Sequence, residues 1–234
     1  MTNPNEALKQ QLLDAILNHV AFDGWSDASF DAAVQDLGID MPLAKGACPR
    51  GAVDLAIAYH LRGDADMVAR FGQEDLSGLR YSEKIAALVR FRLEAAMDKE
   101  AVRRGTTLFA LPQYAGDGAK LIWGTADAIW NALGDTSRDS NWYSKRTTLS
   151  AVYSATVLFW LGDTSEDHAE TWAFLDRRIE NVMQFEKVKA QVNASPILRP
   201  FLAGPKWALS LLKAPPEGSR DDLPGHWSNT SNNT

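Results

Sequence analysis

The segment from Leu149 to Leu161 constrains the fold most, because its only small polar residues are Ser150, Ser154 and Thr156. A helix formed by such a segment has no polar stripe to turn toward water. Helices of this kind lie inside a protein rather than on its surface. We therefore predict that residues 141–161 form a helix at the buried centre of the fold.

Two large aromatic residues, Trp142 and Tyr143, occupy the first turn of this helix. Asp139 or Ser140 can cap it, because a short side-chain oxygen accepts hydrogen bonds from the free N–H groups of the first turn. By helical phase Trp142 shares a face with Leu149, whereas Tyr143 lies on a polar face. Spacing alone favours packing of both rings against a neighbouring helix, since large aromatic side chains are usually buried. Of the two, Tyr143 is the better candidate for an exposed ring.

Apolar residues recur at helical spacing along most of the chain, and no stretch alternates as a β-strand does. The pattern predicts an all-α fold. The predicted helices cover residues 8–23, 26–37, 41–47, 50–70, 81–104, 119–133, 141–161 and 165–187, with a further short helix within residues 105–118.

Three short helices followed by a long one match a helix-turn-helix arrangement. From Leu12 to Tyr59 the order resembles the amino-terminal domain of TetR-type regulators, including the pair Gly24-Trp25 and the run from Cys48 to Gly51. Residues 1–60 nevertheless hold 3 basic and 8 acidic residues, a net charge of -5. DNA binding requires cations that replace phosphate counterions. We therefore predict no nucleic-acid partner and keep a TetR-type ligand-responsive transcriptional regulator as the alternative function.

The amino terminus lacks the basic start and apolar run of a secretory signal, and no uninterrupted apolar run is long enough to span a bilayer. Cys48 is the single cysteine, so an intrachain disulfide is impossible. Beside Pro49 it is better interpreted as a small apolar filler than as a nucleophile. We expect a cytoplasmic protein whose membrane contact is peripheral.

The sequence contains no recognisable reaction centre. The four histidines have no ligand spacing, so we predict neither a metal site nor a cofactor; they are His19, His60, His168 and His226. Nucleophile elbows, phosphate-binding loops and dinucleotide fingerprints are also missing. The carboxylates of Asp127, Asp135 and Asp139 are interpreted as residues that cap helix borders. We therefore predict that the protein is not an enzyme.

The segment 187–216 has a positive net charge, opposite to that of the whole chain, because it holds 5 basic residues and no acidic one. Its apolar residues form two patches, and the strongest candidates for membrane contact are Leu198, Phe201, Leu202, Trp207 and Leu211. Cations beside such a face suit an interfacial helix on anionic lipid. The same face would also be buried if the helix docked on the body of the protein or on a partner subunit. The sequence does not distinguish docking on protein from binding to a membrane.

A longer motif resembles a known family. It comprises Gly134-Asp135, Ser137, Asp139, Asn141-Trp142-Tyr143, Lys145-Arg146, Leu149, Ala151, Tyr153, Asp163, Thr171-Trp172 and Phe174-Leu175. The motif is similar to that of the accessory lipid-binding proteins of ubiquinone (coenzyme Q) biosynthesis, also called the Coq-nine type. The similarity extends from the amino-terminal helices to about Lys187.

This resemblance implies a TetR-like all-α fold that no longer serves as a repressor. It implies a non-enzymatic protein that binds isoprenoid lipids or quinone intermediates in an apolar pocket. It also implies a protein partner, the di-iron demethoxyubiquinone hydroxylase, to which the lipid is presented at the membrane surface. Analogy with TetR-like folds allows a homodimer.

The resemblance also assigns site residues. The partner surface would include Trp142, Tyr143, Asp139, Asp127 and Ile129, the last of which is Met in eukaryotic relatives. The lipid pocket is expected between the helices 81–104, 119–133 and 141–161. Its expected lining residues are Leu88, Phe91, Phe109, Leu111, Tyr153 and Val157.

The family's last helix mediates membrane binding, and residues 195–213 occupy its position, interrupted by Pro196, Pro200 and Pro205. A transit peptide is missing, which favours a bacterial-type protein associated peripherally with the inner membrane. Four regions follow from these patterns. They are a helix-turn-helix-like unit at 1–60, a helical lipid-binding body at 61–187, an amphipathic segment at 188–216 and a disordered tail at 217–234.

Overall fold

The computed structural model describes residues 4–96, 98–137 and 140–194, and within these ranges the regular structure is entirely helical. The predicted all-α class is therefore confirmed. The helices are α1 Pro4–Asp23, α2 Asp27–Asp36, α3 Met41–Ala47, α4 Ala52–Gln73, α5 Tyr81–Glu94, α6 Lys99–Phe109, α7 Ala115–Ala132, α8 Ser140–Gly162 and α9 Ala169–Ala194, with a 3₁₀ turn at Glu166–His168 before α9. No helix in these ranges is long and apolar enough to cross a membrane.

The helix predicted over residues 81–104 is two helices in the structure. α5 ends at Glu94, and the N–H of the following residue, Ala95, donates to the carbonyl of Phe91. Asp98 then starts α6, because its carboxylate accepts a hydrogen bond of 2.8 Å from the backbone N–H of Glu100. α6 also takes in the first part of the short helix predicted within 105–118. A capping aspartate inside an apolar helical pattern marks this break.

α4 packs against four other helices, α1, α2, α5 and α7. α8 does bury one face, including Tyr153 and Trp160. Its opposite side is open, however, and Leu158 is 60% exposed. The prediction that this helix is the buried centre of the fold is therefore wrong, because an apolar sequence does not guarantee that every side of a helix is covered.

Two hydrophobic clusters meet along α4. The first joins α1, α2 and α3 to the first half of α4, up to Ala58. The second begins at Met67 and continues through α5, α7, α8 and α9. The boundary predicted after residue 60 thus falls inside α4, between the parts of this helix that belong to the two clusters.

The described chain divides into two compact units. The larger one holds residues 4–135 and 146–185, and the smaller one includes residues 136–145 and 186–194. Several predicted site residues lie outside the described ranges. They are Asp139 and the five membrane candidates Leu198, Phe201, Leu202, Trp207 and Leu211, together with the tail 217–234.

Candidate functional site

The larger unit contains a cavity of about 420 Å³ formed by α4, α5, α6, α7 and α8. Its wall is mainly apolar and includes Trp25, Leu93, Phe109, Ile122, Val157 and Leu158. The indole N–H of Trp25 donates to the carbonyl of Ala101, 3.0 Å away, which fixes this ring beside the start of α6. Leu158 also lines the cavity, and most of this residue is exposed. A cavity of this size and character suits a small apolar ligand or part of a larger one.

The structure places the six predicted lining residues in different environments. Phe109, Tyr153 and Val157 line the cavity. Leu88 and Phe91 instead pack inside the second hydrophobic cluster. Leu111 lies in the turn after α6 and is 42% exposed. The predicted lining is corrected at these three positions, because apolar residues of the core, the cavity and the surface share the same local sequence pattern.

A buried ion pair forms the polar end of the cavity. Arg92 of α5, which is 5% exposed, lines the cavity and places Nε 2.5 Å from Oδ1 of Asp64 on α4. Its Nη2 donates to the backbone carbonyl of His60 at 2.9 Å. Gly63 lies directly beneath the guanidinium group, and a Cβ at this position would be 2.6 Å from Nη1 of Arg92. The absence of a side chain at Gly63 therefore allows the close approach of α5 to α4.

Thr125 of α7 connects this ion pair to His60. Its hydroxyl donates to Oδ1 of Asp64 at 2.9 Å. The same Oγ1 is 2.8 Å from Nε2 of His60. This short distance is a hydrogen bond between Thr125 and His60. Three helices are joined through this network.

The network fixes the charges at this end of the cavity. Burial and the nearby Arg92 lower the pKa of His60 to about 3, so the imidazole is neutral at physiological pH. Burial raises the pKa of the Tyr153 hydroxyl, which therefore also stays neutral. Burial likewise raises the pKa of Asp64, while Arg92 and Thr125 act in the opposite direction. At neutral pH one cation and one anion balance each other here.

The apolar pattern Ile85, Leu88 and Val89 predicts an inner helix face that also carries Arg92, but the local sequence indicates no partner for this arginine. Asp64, Arg92 and Thr125 lie on three different helices, so no local spacing connects them. The only signal was a charged residue on an otherwise apolar face, which in a folded protein requires a buried counter-charge.

The state of His60 predicts a pH dependence of stability. The folded protein keeps His60 neutral, whereas the unfolded chain protonates this residue below about pH 6.5. The unfolded state therefore binds more protons as the pH falls, which lowers the free energy of unfolding. We expect His60 to contribute a loss of about 2 kcal/mol between roughly pH 7.5 and 5. Urea unfolding at both pH values should show a smaller loss for His60→Gln, and equal losses in the two proteins would contradict the expectation.

Two of the three carboxylates interpreted as caps, Asp127 and Asp135, pair with an arginine. Asp127 and Asp135 converge on Arg146, whose Nε lies 2.6 Å from Oδ1 of Asp127 and whose Nη1 lies 3.2 Å from Oδ2 of Asp135. Arg146 is 1% exposed. Asn131 completes the cluster by accepting from Nη2 of Arg146 at 3.3 Å. The cluster joins the end of α7 to α8 within the larger unit.

Ile129 cannot belong to the predicted partner surface. Ile129 is 0% exposed and packs inside the second hydrophobic cluster, so its side chain is not available to a partner protein. Asp127 remains half-buried at the edge of the Arg146 cluster.

In the smaller unit, Trp142 and Tyr143 are both half-buried, and their rings meet edge to face with centroids 4.7 Å apart. Helical phase predicted a clear difference in exposure between the two rings. The two residues have the same burial class instead, and their rings contact each other.

Cys48 and possible metal ligands are the remaining candidates for chemistry. Cys48 is fully buried, and this burial raises the pKa of its thiol to about 11, as expected of an apolar filler. Within the part of the chain that the structure describes, no three His, Cys, Asp or Glu side chains lie close enough together to hold a metal ion.

Comparison with known proteins supports the motif found in the sequence. Residues 115–186, which form α7, α8 and the first part of α9, match the model of the COQ9 family. A probable ubiquinone biosynthesis protein coq9, mitochondrial, from Dictyostelium discoideum is 30% identical over 195 residues, which are 79% of this chain and 62% of that protein. The human ubiquinone biosynthesis protein COQ9, mitochondrial, is 27% identical over 198 residues, 81% of this chain and 62% of that protein. The chain thus spans about three fifths of the length of these relatives.

The fold is similar to that of a solved transcriptional regulator. The crystal structure of the TetR transcriptional regulator from Nitrosomonas europaea ATCC 19718 superposes with a TM-score of 0.62 and 19% sequence identity, covering 74% of this chain and 97% of that one. At this identity the similarity concerns the fold alone. The resemblance predicted from the sequence is therefore confirmed: residues 115–186 of this chain match the COQ9 family model, and they lie in a TetR-like all-α fold.

Proposed function

We propose that this chain is a non-enzymatic accessory protein of ubiquinone biosynthesis, which binds an isoprenoid lipid or quinone intermediate and presents it to the di-iron demethoxyubiquinone hydroxylase. The observation that carries the proposal is the apolar cavity of about 420 Å³, which α7 and α8 line with residues of the COQ9 family region. The names of the relatives support the pathway. The membrane contact proposed for Leu198, Phe201, Leu202, Trp207 and Leu211 rests on the sequence pattern alone.

The alternative is a TetR-type ligand-responsive transcriptional regulator, which the fold permits. The cations near α3 argue against it because they interact within the chain. Arg50 pairs with Asp54 and with Asp117, each at 2.9 Å. The ammonium group of Lys45 lies over the ring of Phe30, 4.8 Å from its centre. A repressor needs such cations for phosphate contacts, and DNA binding with a steep salt dependence would favour this alternative.

Filling the cavity tests the lipid-binding part of the proposal. Val157→Trp adds a large ring to a residue of the cavity wall, so we expect a large fall in the amount of isoprenoid or other lipid that copurifies with the protein. Lipid extraction followed by mass spectrometry measures this amount. The matched control is Leu111→Trp, which adds the same ring outside the cavity and should leave the lipid content unchanged. If both variants keep the lipid of the wild type, the cavity is not the lipid site.

A second variant tests the partner surface. Tyr143→Ala removes a half-buried ring in the smaller unit, and we expect weaker binding of the hydroxylase, by about tenfold, with little change in melting temperature. Surface plasmon resonance with the purified hydroxylase gives the affinity. Phe22→Ala is the control, because this ring on α1 is largely exposed and has no proposed partner. Equal affinity of the two variants would remove Tyr143 from the interface.

A further inference from the structure

The amino-terminal helices carry an open groove that shares no residue with the apolar cavity. The groove has a volume of about 630 Å³ and lies between α1 and the turn that follows α2. Leu37 and Ile39 line it from the turn, and Ala15 lines it from α1. Asp14 of α1 and Asp36 of α2 each add a carboxylate. The groove therefore combines an apolar surface with acidic side chains.

A glycine turn after α2 leaves apolar side chains partly open to solvent. Gly38 has a φ of 62°, and the N–H of Ile39 donates to the carbonyl of Val34, 3.2 Å away. Glycine adopts this left-handed conformation easily, and the turn ends the helix. Leu37 at the turn is 38% exposed, and Leu43 in α3 is 56% exposed. A partner that covers these leucines gains the free energy of apolar burial.

The charge around the groove is negative. Residues 4–47, which include α1, α2 and α3, hold 7 acidic and 2 basic residues, a net charge of -5. Oδ1 of Asp14 lies 2.6 Å from Nη1 of Arg62, and this carboxylate side chain is 68% exposed. Oδ2 of Asp36 lies 2.7 Å from Nε2 of His19, and this carboxylate side chain is 50% exposed. Within the described ranges the second oxygen of each carboxylate accepts no hydrogen bond, so each can bind a cation of a partner.

This charge restricts which partner can occupy the groove. The phosphate groups of DNA or of an anionic membrane would lie against carboxylates. A second copy of this chain in a symmetric dimer would place the same acidic groove against itself. A helix with an apolar side flanked by lysine or arginine can instead fill the groove and bring its cations to both carboxylates.

From the exposed leucines, the groove and the two open carboxylate oxygens, we propose that this face binds a cationic amphipathic helix of a partner protein. The apolar side chains of that helix pack on Leu37 and Ile39, and its cations bind Asp14 and Asp36. This interaction is separate from lipid binding, because no residue of the groove lines the apolar cavity.

Three fluorescent peptides of about 14 residues, which form four helical turns, test the proposal with the full chain. The first has leucine and lysine at helical spacing, the second has glutamate in place of lysine, and the third has serine in place of leucine. Fluorescence anisotropy measures their dissociation constants. We expect the first to bind at least about tenfold more tightly than the others, because it alone matches both the charge and the apolar surface. Equal affinity of the first peptide and either of the others overturns the proposal, and so does failure of the first to bind.

Charge variants locate the binding site of the lysine peptide. Asp14→Asn together with Asp36→Asn should weaken its binding by about tenfold, as the loss of two partly exposed ion pairs allows. The matched control combines Asp176→Asn with Glu180→Gln, which removes the same charge from exposed positions of α9 and should change the affinity by less than about twofold. Equal effects of the two double variants would mean that net charge alone attracts the peptide, and the proposal would be wrong.

A leucine variant tests the apolar contact. Leu37→Ser should weaken binding of the lysine peptide by about fivefold, because it removes apolar surface from the groove. Leu79→Ser is the control, since this leucine is 39% exposed, nearly the same as Leu37, and does not line the groove. The control should bind the peptide as the wild type does. An equal loss in both variants contradicts a contact at Leu37.

Two further measurements separate this site from the cavity and from DNA binding. Val157→Trp, which fills the cavity, should leave the affinity for the lysine peptide unchanged. Loss of peptide binding in this variant would place the peptide in the cavity, whereas its lipid content tests the proposed function independently. A fluorescent DNA duplex should not bind, and DNA binding that Asp14→Asn with Asp36→Asn strengthens would assign this face to nucleic acid instead.

Discussion

We expect Gly63→Ala to lower the free energy of unfolding by about 3 kcal/mol, although alanine normally favours a helix. A Cβ at this position would lie 2.6 Å from Nη1 and 2.8 Å from Cζ of Arg92. Arg92 cannot turn away easily, because it is buried and bound to Asp64 and to the carbonyl of His60. Either the helices move apart or the ion pair is disrupted, and disruption of a buried pair is strongly destabilising.

Gly72→Ala is the matched control for this prediction. Gly72 lies on the same helix, and a Cβ there would meet no atom within 4 Å. This change should raise the free energy of unfolding by about 0.5 to 1 kcal/mol through helix propensity alone. Urea unfolding followed by circular dichroism measures both variants. A stabilising effect of Gly63→Ala equal to that of Gly72→Ala would mean that Arg92 is not held against α4.

Most of the fold could be predicted from sequence because its determinants are local. Apolar periodicity placed most of the described helices. Ser26 caps α2, because its hydroxyl accepts a hydrogen bond of 3.2 Å from the N–H of Ser29. The break between α5 and α6 was missed, since Asp98 interrupts a pattern that stays apolar on both sides. The local sequence does not distinguish an aspartate that caps a helix from an aspartate that faces solvent.

The site was less predictable because its determinants are not local. A buried network needs partners on separate helices, and the contact of Asp64 with Arg92 joins residues 28 positions apart. Thr125 is further still along the chain. Family resemblance supplied a surface role for Ile129, but only the packing of α7 reveals that this side chain is enclosed. Sequence patterns therefore identify which residues are apolar. The position of the cavity depends on which apolar side chains of different helices do not contact each other.

The cavity and the Arg92 network together explain how one fold can both pack tightly and keep an apolar cavity open. Tyr153 belongs to the second hydrophobic cluster and to the cavity wall. The ion pair beside it fixes α4, α5 and α7 without filling the space between α6 and α8. A site held open in this way does not need to form when a ligand arrives, which lowers the entropic cost of binding.

The second large effect is expected at Arg146, where Arg146→Ala should lower the free energy of unfolding by about 3 to 5 kcal/mol. The variant leaves the carboxylates of Asp127 and Asp135 without their common cation, and Asp135 is itself almost fully buried. It also removes the link between the end of α7 and α8. Arg146→Lys keeps the charge but loses the forked geometry, so an intermediate loss is expected.

Charge and packing contributions at Arg146 are separated by neutralising its partners. If uncompensated charge causes the loss, the triple variant Arg146→Ala, Asp127→Asn, Asp135→Asn should recover more than about 1 kcal/mol relative to Arg146→Ala, because no buried anion remains. Arg177→Ala on the exposed side of α9 should change stability by less than about 0.5 kcal/mol. Urea unfolding of these four variants and the wild type measures each step. If the triple variant is no more stable than Arg146→Ala, the loss of stability comes from the lost packing of the arginine stem. In that case the two carboxylates would not be destabilising when Arg146 is absent.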